Sequence, residues 1–309
     1  MVSQAGPIAQ KLIKEFRRFK GRKVFDFKQL DAGRRMAEDL QKTVASKEEL
    51  AELHPAHALY AYAQNQAAVL SEQMTQLPPM SRFVDLVGKA EDEYLPSGPP
   101  MSPLTTSYFT CWALFDACIG ESRETIGTCM IAVTREIGLS PDLLRLIKAM
   151  QESRMGFYMH QGFEGAYTVL REMVTGIECR AIVPSGHQGE KGELWFVRVL
   201  PPPMPGSSPH VVFTTPYLIL RPDPEEWLAY FARTLPKIEP ADAKRAYTIL
   251  MKYGPKRNYW SEYILEAYVN HQKEVVFLAG LPDVEETRPH SRRLMGAEGY
   301  GAGRFLLKL

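Results

Sequence analysis

Six residues near the end of the chain, Arg288 to Arg293, concentrate side chains suited to holding an anion: three arginines, a histidine and a serine. Guanidinium groups keep their charge at any physiological pH, and their planar forks match phosphate or carboxylate oxygens two at a time. Pro289 stiffens the loop, which lowers the entropy lost in aiming Arg288, Arg292 and Arg293 at one ligand. His290 adds a group that donates to an anion or exchanges a proton near neutral pH. Against this stand Asp283, Glu285 and Glu286 just upstream, and the chain has no GxxxxGK[ST] phosphate loop. The competing account is a solvated basic loop.

A second cluster, "KYGPKRNYWSEY", places Lys256 and Arg257 beside Tyr259 and Trp260. Single-stranded nucleic acids are held by such mixtures, because bases stack on rings while cations hold phosphates. Tyr259 and Tyr263 are also four apart, the spacing of a core-facing helical stripe, and core packing is the favoured expectation.

Other groupings carry less chemistry. His54 and His57 are three apart but lack an HExxH frame, and Cys111 and Cys118 lack a CxxC partner. No metal and no cofactor is expected. Ser185, His187, Glu190 and Glu193 contain the residue types of a hydrolytic triad, yet "SGHQG" is not a GxSxG elbow, and its glycines read as turn residues. The carboxylate pairs Glu121/Glu124 and Glu225/Glu226 read as a turn or helix start and a helix first turn. The loop "LPPPMPGSSP", residues 200–209, offers a polyproline surface or a plain strand connection.

The elements that must position these groups follow from pattern. With 309 residues, 45% hydrophobic and 24% charged, the chain has material for a sizeable core. Thirty-seven Lys plus Arg against 36 Asp plus Glu excludes a whole-surface attraction to nucleic acid or anionic lipid. No run approaches the about 18 apolar residues of a membrane span, and the first residues do not resemble a signal peptide. Four cysteines in mostly apolar surroundings suit reduced thiols, so a soluble, cytoplasmic protein is expected.

Residues 1–76 read as a helical region, with a capping box at Ser46 and Glu49, and 77–103 as a Pro/Gly-rich linker. Residues 104–309 read as an α+β domain, helical to about residue 160, with a β module at about 165–220. "NYWSEYILEAYVNHQ" reads as one helix, "HVVFTTPYLIL" as one strand, and "RFLLKL" as a docked strand. The expected fold is therefore α+β, mainly helical, with a small antiparallel sheet or partial barrel near the middle.

Two functions are consistent with this. The first is a non-catalytic binding protein, an adaptor or accessory subunit, meeting another protein through its β module and C-terminal helices. The second is an enzyme or receptor for a phosphorylated ligand or nucleic acid, using the C-terminal basic loop. Neither involves a membrane.

Overall fold

A computed structural model describes residues 5–20, 46–95, 102–138, 140–204, 206, 209–272 and 274–289. The "RFLLKL" strand expected above, and the apolar run Leu30, Met36, Leu40 and Val44 within the expected N-terminal helical region, lie outside the described residues. The chain forms two compact units, Met1–Leu86 with Ala113–Glu152 and Val87–Trp112 with Ser153–Leu309.

In the first unit, α1 (Pro7–Lys20), α2 (Lys47–Glu52) and α3 (Pro55–Thr75) form as their apolar spacing and caps dictate. Ser46 Oγ accepts the Glu49 N–H at 3.1 Å, while the Ser46 N–H donates to Glu49 Oε2 at 2.7 Å, completing the capping box. Within the proline-rich stretch, Ser81–Tyr94 forms a helix, α4, and α5 (Thr106–Cys111) follows in the second unit. Back in the first unit, the short hairpin β1 (Cys118–Ile119) and β2 (Glu124–Thr125) leads into α6 (Ile126–Ile137) and α7 (Pro141–Glu152).

Glu124 has a task that its local sequence did not suggest. Its buried carboxylate accepts the Ile8 and Ala9 N–H groups at 3.0 and 2.9 Å, capping α1 from over a hundred residues away. A helix start presents unpaired donors and partial positive charge, so a carboxylate is the fitting partner. Gly6 makes room for it, since a Cβ there would overlap the Glu124 side chain.

The second unit overturns the expected small antiparallel sheet or partial barrel. Among the described residues its strands form one eight-stranded sheet in the order β3-β4-β5-β7-β6-β8-β10-β9, and β3 also pairs with β6. That extra pairing closes β3 (Met155–Glu164), β4 (Tyr167–Glu172), β5 (Glu178–Ile182), β7 (His210–Val212) and β6 (Leu194–Leu200) into a five-stranded barrel. The pairings are not all antiparallel: β5 runs parallel to β7, and β8 (Tyr217–Arg221) parallel to β10 (Val275–Ala279). The last edge strand is β9 (Tyr268–Gln272).

The physical reason for the difference lies in β3. Both faces of its first half are covered, so that stretch lacks the apolar–polar alternation of a half-buried strand and resembles a buried helix segment. Tyr158 packs toward the barrel cluster of Leu170, Cys179, Ala181, Trp195 and Val197, while Phe157 points the other way. "HVVFTTPYLIL" is likewise two strands rather than one, and the helix expected to reach Gln272 ends at Ala267, where β9 begins.

Between β8 and β9 the chain makes α8 (Pro224–Thr234), α9 (Ala243–Tyr253) and α10 (Tyr259–Ala267). A parallel partner for β8 needs such a crossover. These helices cover the outside of β3 and β6 with aromatic rings: Phe157 lies 4.2 Å from Trp227, and Phe196 lies 5.1 Å from Trp260, centroid to centroid. β6 is thus buried on both faces, as its apolar run predicts. Among the described residues no helix is long and apolar enough to cross a membrane.

Candidate binding face

The C-terminal basic loop is described only as far as Pro289. Arg288 forms an ion pair with Glu266, and donates to the Leu281 and Pro282 carbonyls at 3.2 and 2.5 Å. His290, Arg292 and Arg293 lie outside the described residues. Lys256 pairs with Glu262, and Arg257 is exposed. Lys256, Tyr259 and Arg288 do come together, around a cavity of about 290 Å³ that also admits Glu262, Glu266 and Glu285. Both cations there already face carboxylates, which is a setting for structural pairing more than for catching an anion.

Of the aromatic members of that cluster, Trp260 is a core residue and Tyr259 is half-buried. Trp260 is only 5% exposed, donates its indole N–H to the Leu250 carbonyl at 2.7 Å, and packs among Phe157, Phe196 and Tyr263. Tyr259 shares a 2.8 Å hydroxyl hydrogen bond with Tyr230, and burial raises its pKa. Base stacking needs a ring face open to solvent, and the Trp260 ring is enclosed by protein.

The lesser groupings have structural employment. His54 caps α3, its Nδ1 accepting the Ala56 N–H at 3.2 Å, and burial lowers the His57 pKa, with His54 adding to the effect. Cys111 ends α5 whereas Cys118 opens β1. Ser185 Oγ accepts the backbone N–H of His187 at 3.3 Å, and the His187 ring instead lies 3.6 Å from Glu193. Among the described residues no three His, Cys, Asp or Glu side chains gather as a metal site.

Among the described residues one wall of the barrel remains open. Leu170, Cys179 and Ala181 fill the interior, so their neighbours Val169, Arg171, Glu178 and Arg180 point outward from β4 and β5. Val169 stands opposite Arg180, and Arg171 opposite Glu178. On this side lies a cavity of about 460 Å³, bounded by Glu164 and Tyr167 at the β3–β4 turn, Arg180 on β5, and His210, Pro202 and Pro209 at the β6–β7 loop. Arg180 lies 6.0 Å from the Tyr167 ring centre and pairs with Glu164 at 3.1 Å, both charges more than half exposed. An exposed pair of this kind rearranges at little cost. Burial lowers the His210 pKa, partly countered by its bond to the Arg180 backbone.

Composition alone reads the proline-rich loop as a polyproline surface or, more often, a plain strand connection, and it does not mark Tyr167, Arg180 or His210. No signal within β4 or β5 singles them out, because only barrel closure sets them beside Pro202 and Pro209. The chain matches no protein-family model, no curated protein and no solved structure.

Proposed function

We propose that this chain is a non-catalytic binding protein of the cytoplasm, an adaptor or accessory subunit, that holds another protein against the β4–β5–β7 wall of its barrel. The observation carrying this is the asymmetry of the barrel: helices cover β3 and β6, while the opposite wall opens onto a cavity of about 460 Å³. Five-stranded Greek-key barrels of the OB kind take ligands on their second and third strands and on the loops joining the first to the second and the fourth to the fifth. Counted from β3, those are β4, β5, the β3–β4 turn and the β6–β7 loop.

Fold alone does not assign function, so the side chains carry the choice of ligand. Glu164 and Glu178 stand among Arg171, Arg180 and His210, a balance of charge that does not favour a polyanion. A tyrosine with an adaptable arginine, set in polar surroundings, is the composition of protein contact surfaces. No disulfide joins Cys111, Cys118, Cys129 or Cys179, which supports a reducing compartment.

The test compares the tagged wild-type chain with a Tyr167→Ala/Arg180→Ala variant, both recovered from cytoplasm at low salt and analysed by quantitative mass spectrometry. A stoichiometric protein retained by the first and lost by the second, at unchanged melting temperature, supports the proposal. Equal retention by both removes the wall as the binding face.

A further inference from the structure

β3 does not run straight into its turn. Its pairing with β4 shifts register between His160 and Gly162, so Gln161 is an extra residue, and Gly162 takes a φ of 108°. Bulges of this sort re-aim the residues that follow, and Glu164 on the rim of the open wall is two residues further on.

His160 holds this bulge. Its ring is fully buried, and the Gly162 N–H donates to its Nδ1 at 3.1 Å. Its Nε2 lies 3.1 Å from the carbonyl of Gln188 in the β5–β6 loop. A ring that accepts at Nδ1 and donates at Nε2 is neutral imidazole. The same loop is tied to His160 through the backbone: Gly192 N–H donates to the His160 carbonyl, and His160 N–H to the Glu193 carbonyl, both at 2.9 Å. One neutral ring thus joins a strand bulge to the long β5–β6 connection.

The surroundings decide how that ring responds to acid. Trp195 on β6 and Phe163 on β3 lie 5.2 and 5.0 Å away, and Leu170 stands opposite on β4. The charged or titratable neighbours are His187 from the loop and Glu193 at the start of β6. The Glu193 carboxylate already accepts the Trp195 indole N–H at 2.8 Å and lies 3.6 Å from the His187 ring. Burial lowers the His160 pKa below the ordinary 6.5, with the bond to the Gln188 carbonyl and then Glu193 opposing and His187 reinforcing the effect. A proton gained at Nδ1 would set two N–H groups against each other.

We propose that His160 is a proton-operated latch: one proton taken up at Nδ1 releases the Gly162 bulge, while Nε2 keeps its bond to the Gln188 carbonyl, and so displaces Glu164 at the rim of the barrel wall. The consequence for partner binding rests on the function proposed above, whereas the latch itself does not.

Amide hydrogen exchange on the full chain without a partner tests it, comparing wild type with His160→Asn, whose amide oxygen keeps an acceptor near the Nδ1 position and does not titrate. In the wild type, exchange at Gly162, corrected for intrinsic rate, should accelerate up to about tenfold per pH unit as pH falls from about 6.5 toward the folded His160 pKa. Amides of Trp227–Phe231 should stay protected, and His160→Asn should show no such acceleration. Equal acceleration in both proteins, none in the wild type, or loss of protection spread across the helices would overturn the latch. Should the variant fail to fold, nitrogen NMR of the wild-type imidazole decides: the Gly162 amide must shift with the same midpoint as His160 Nδ1, and separate midpoints refute it. Since no partner is present, failure of the latch leaves the wall untouched as a binding face, and the reverse also holds.

Discussion

Replacing Glu172 by Gln removes one charge from a pair that the second unit has enclosed. The Glu172 side chain is 4% exposed and that of Arg154 13%, and the two form a fork with contacts of 2.6 and 3.1 Å. Thr175 Oγ1 donates to the same carboxylate at 2.5 Å, and the Arg154 guanidinium lies 4.6 Å from the Tyr247 ring centre. Burial by itself would lower the Arg154 pKa, but Glu172 together with Tyr247 and Tyr158 outweighs it and the net direction is upward. A glutamine keeps the shape but leaves a buried guanidinium without its counter-charge, a change that costs about 3–5 kcal/mol. For a unit of this size, at about 2–4 °C per kcal/mol, the melting midpoint should fall by roughly 6–20 °C.

Indole fluorescence reads this change locally, because Trp112, Trp195, Trp227 and Trp260 all belong to the second unit. Urea unfolding of wild type, Glu172→Gln and Glu164→Gln separates the buried pair from the exposed one. Glu164 pairs with Arg180 at 63% and 57% exposure, so its variant should lie within about 1 kcal/mol of wild type. An Arg154→Met/Glu172→Leu double variant should recover much of the loss, since packed apolar groups replace a buried pair at little cost. A Glu172→Gln loss below about 1 kcal/mol would refute the assignment of this pair as a buried, mutually dependent contact.

Three further outcomes follow from local geometry. Gly6→Ala forces a Cβ into the Glu124 carboxylate and should cost the first unit about 1–2 kcal/mol through the lost α1 cap, read by circular dichroism; full stability would show that Glu124 is not the cap. Burial pushes the Cys129 and Cys179 thiols up to about 12, so both should resist iodoacetamide at about pH 8 in the folded protein and react on unfolding. Rapid labelling of either in the native state, seen by peptide mass spectrometry, would contradict their burial. His57, His160 and His210 all have folded pKa values lowered from 6.5 by burial, so the unfolded chain binds more protons as pH drops below that value. Their stability contribution is therefore complete above about pH 6.5 and is lost as pH falls toward the folded values. Melting temperatures should decline from about pH 7.5 to 5.5, and a profile without decline would contradict the neutral, buried state of these rings.

Elements whose signal is local are legible in the sequence. The Ser46–Glu49 capping box, the Pro224 start of α8, the Gly254 stop of α9 and the doubly buried run of β6 depend on neighbours a few residues away, and each forms. Trp260 belongs with them: its helical stripe beside Tyr263 argues for core, and the core holds it. Sequence alone also restricts the chemistry, because near-zero net charge and the lack of a phosphate loop do not depend on folding.

What pairing decides is invisible at that level. β3 closes the barrel by meeting β6 about forty residues later, and cover on both faces of its first half erases the alternation that would reveal it as a strand. Glu124 looks like part of a charged turn until α1 arrives to be capped. Tyr167, Arg180 and Pro202 share a cavity only because β5 crosses to pair with β7, a parallel contact that no short stretch of chain encodes. Local backbone preference and hydrophobic period determined most helices and several strands. The wall left open, and the buried ring that braces its rim, were decided by long-range strand closure, which draws on the packing free energy of the whole unit rather than on the residues that end up facing one another.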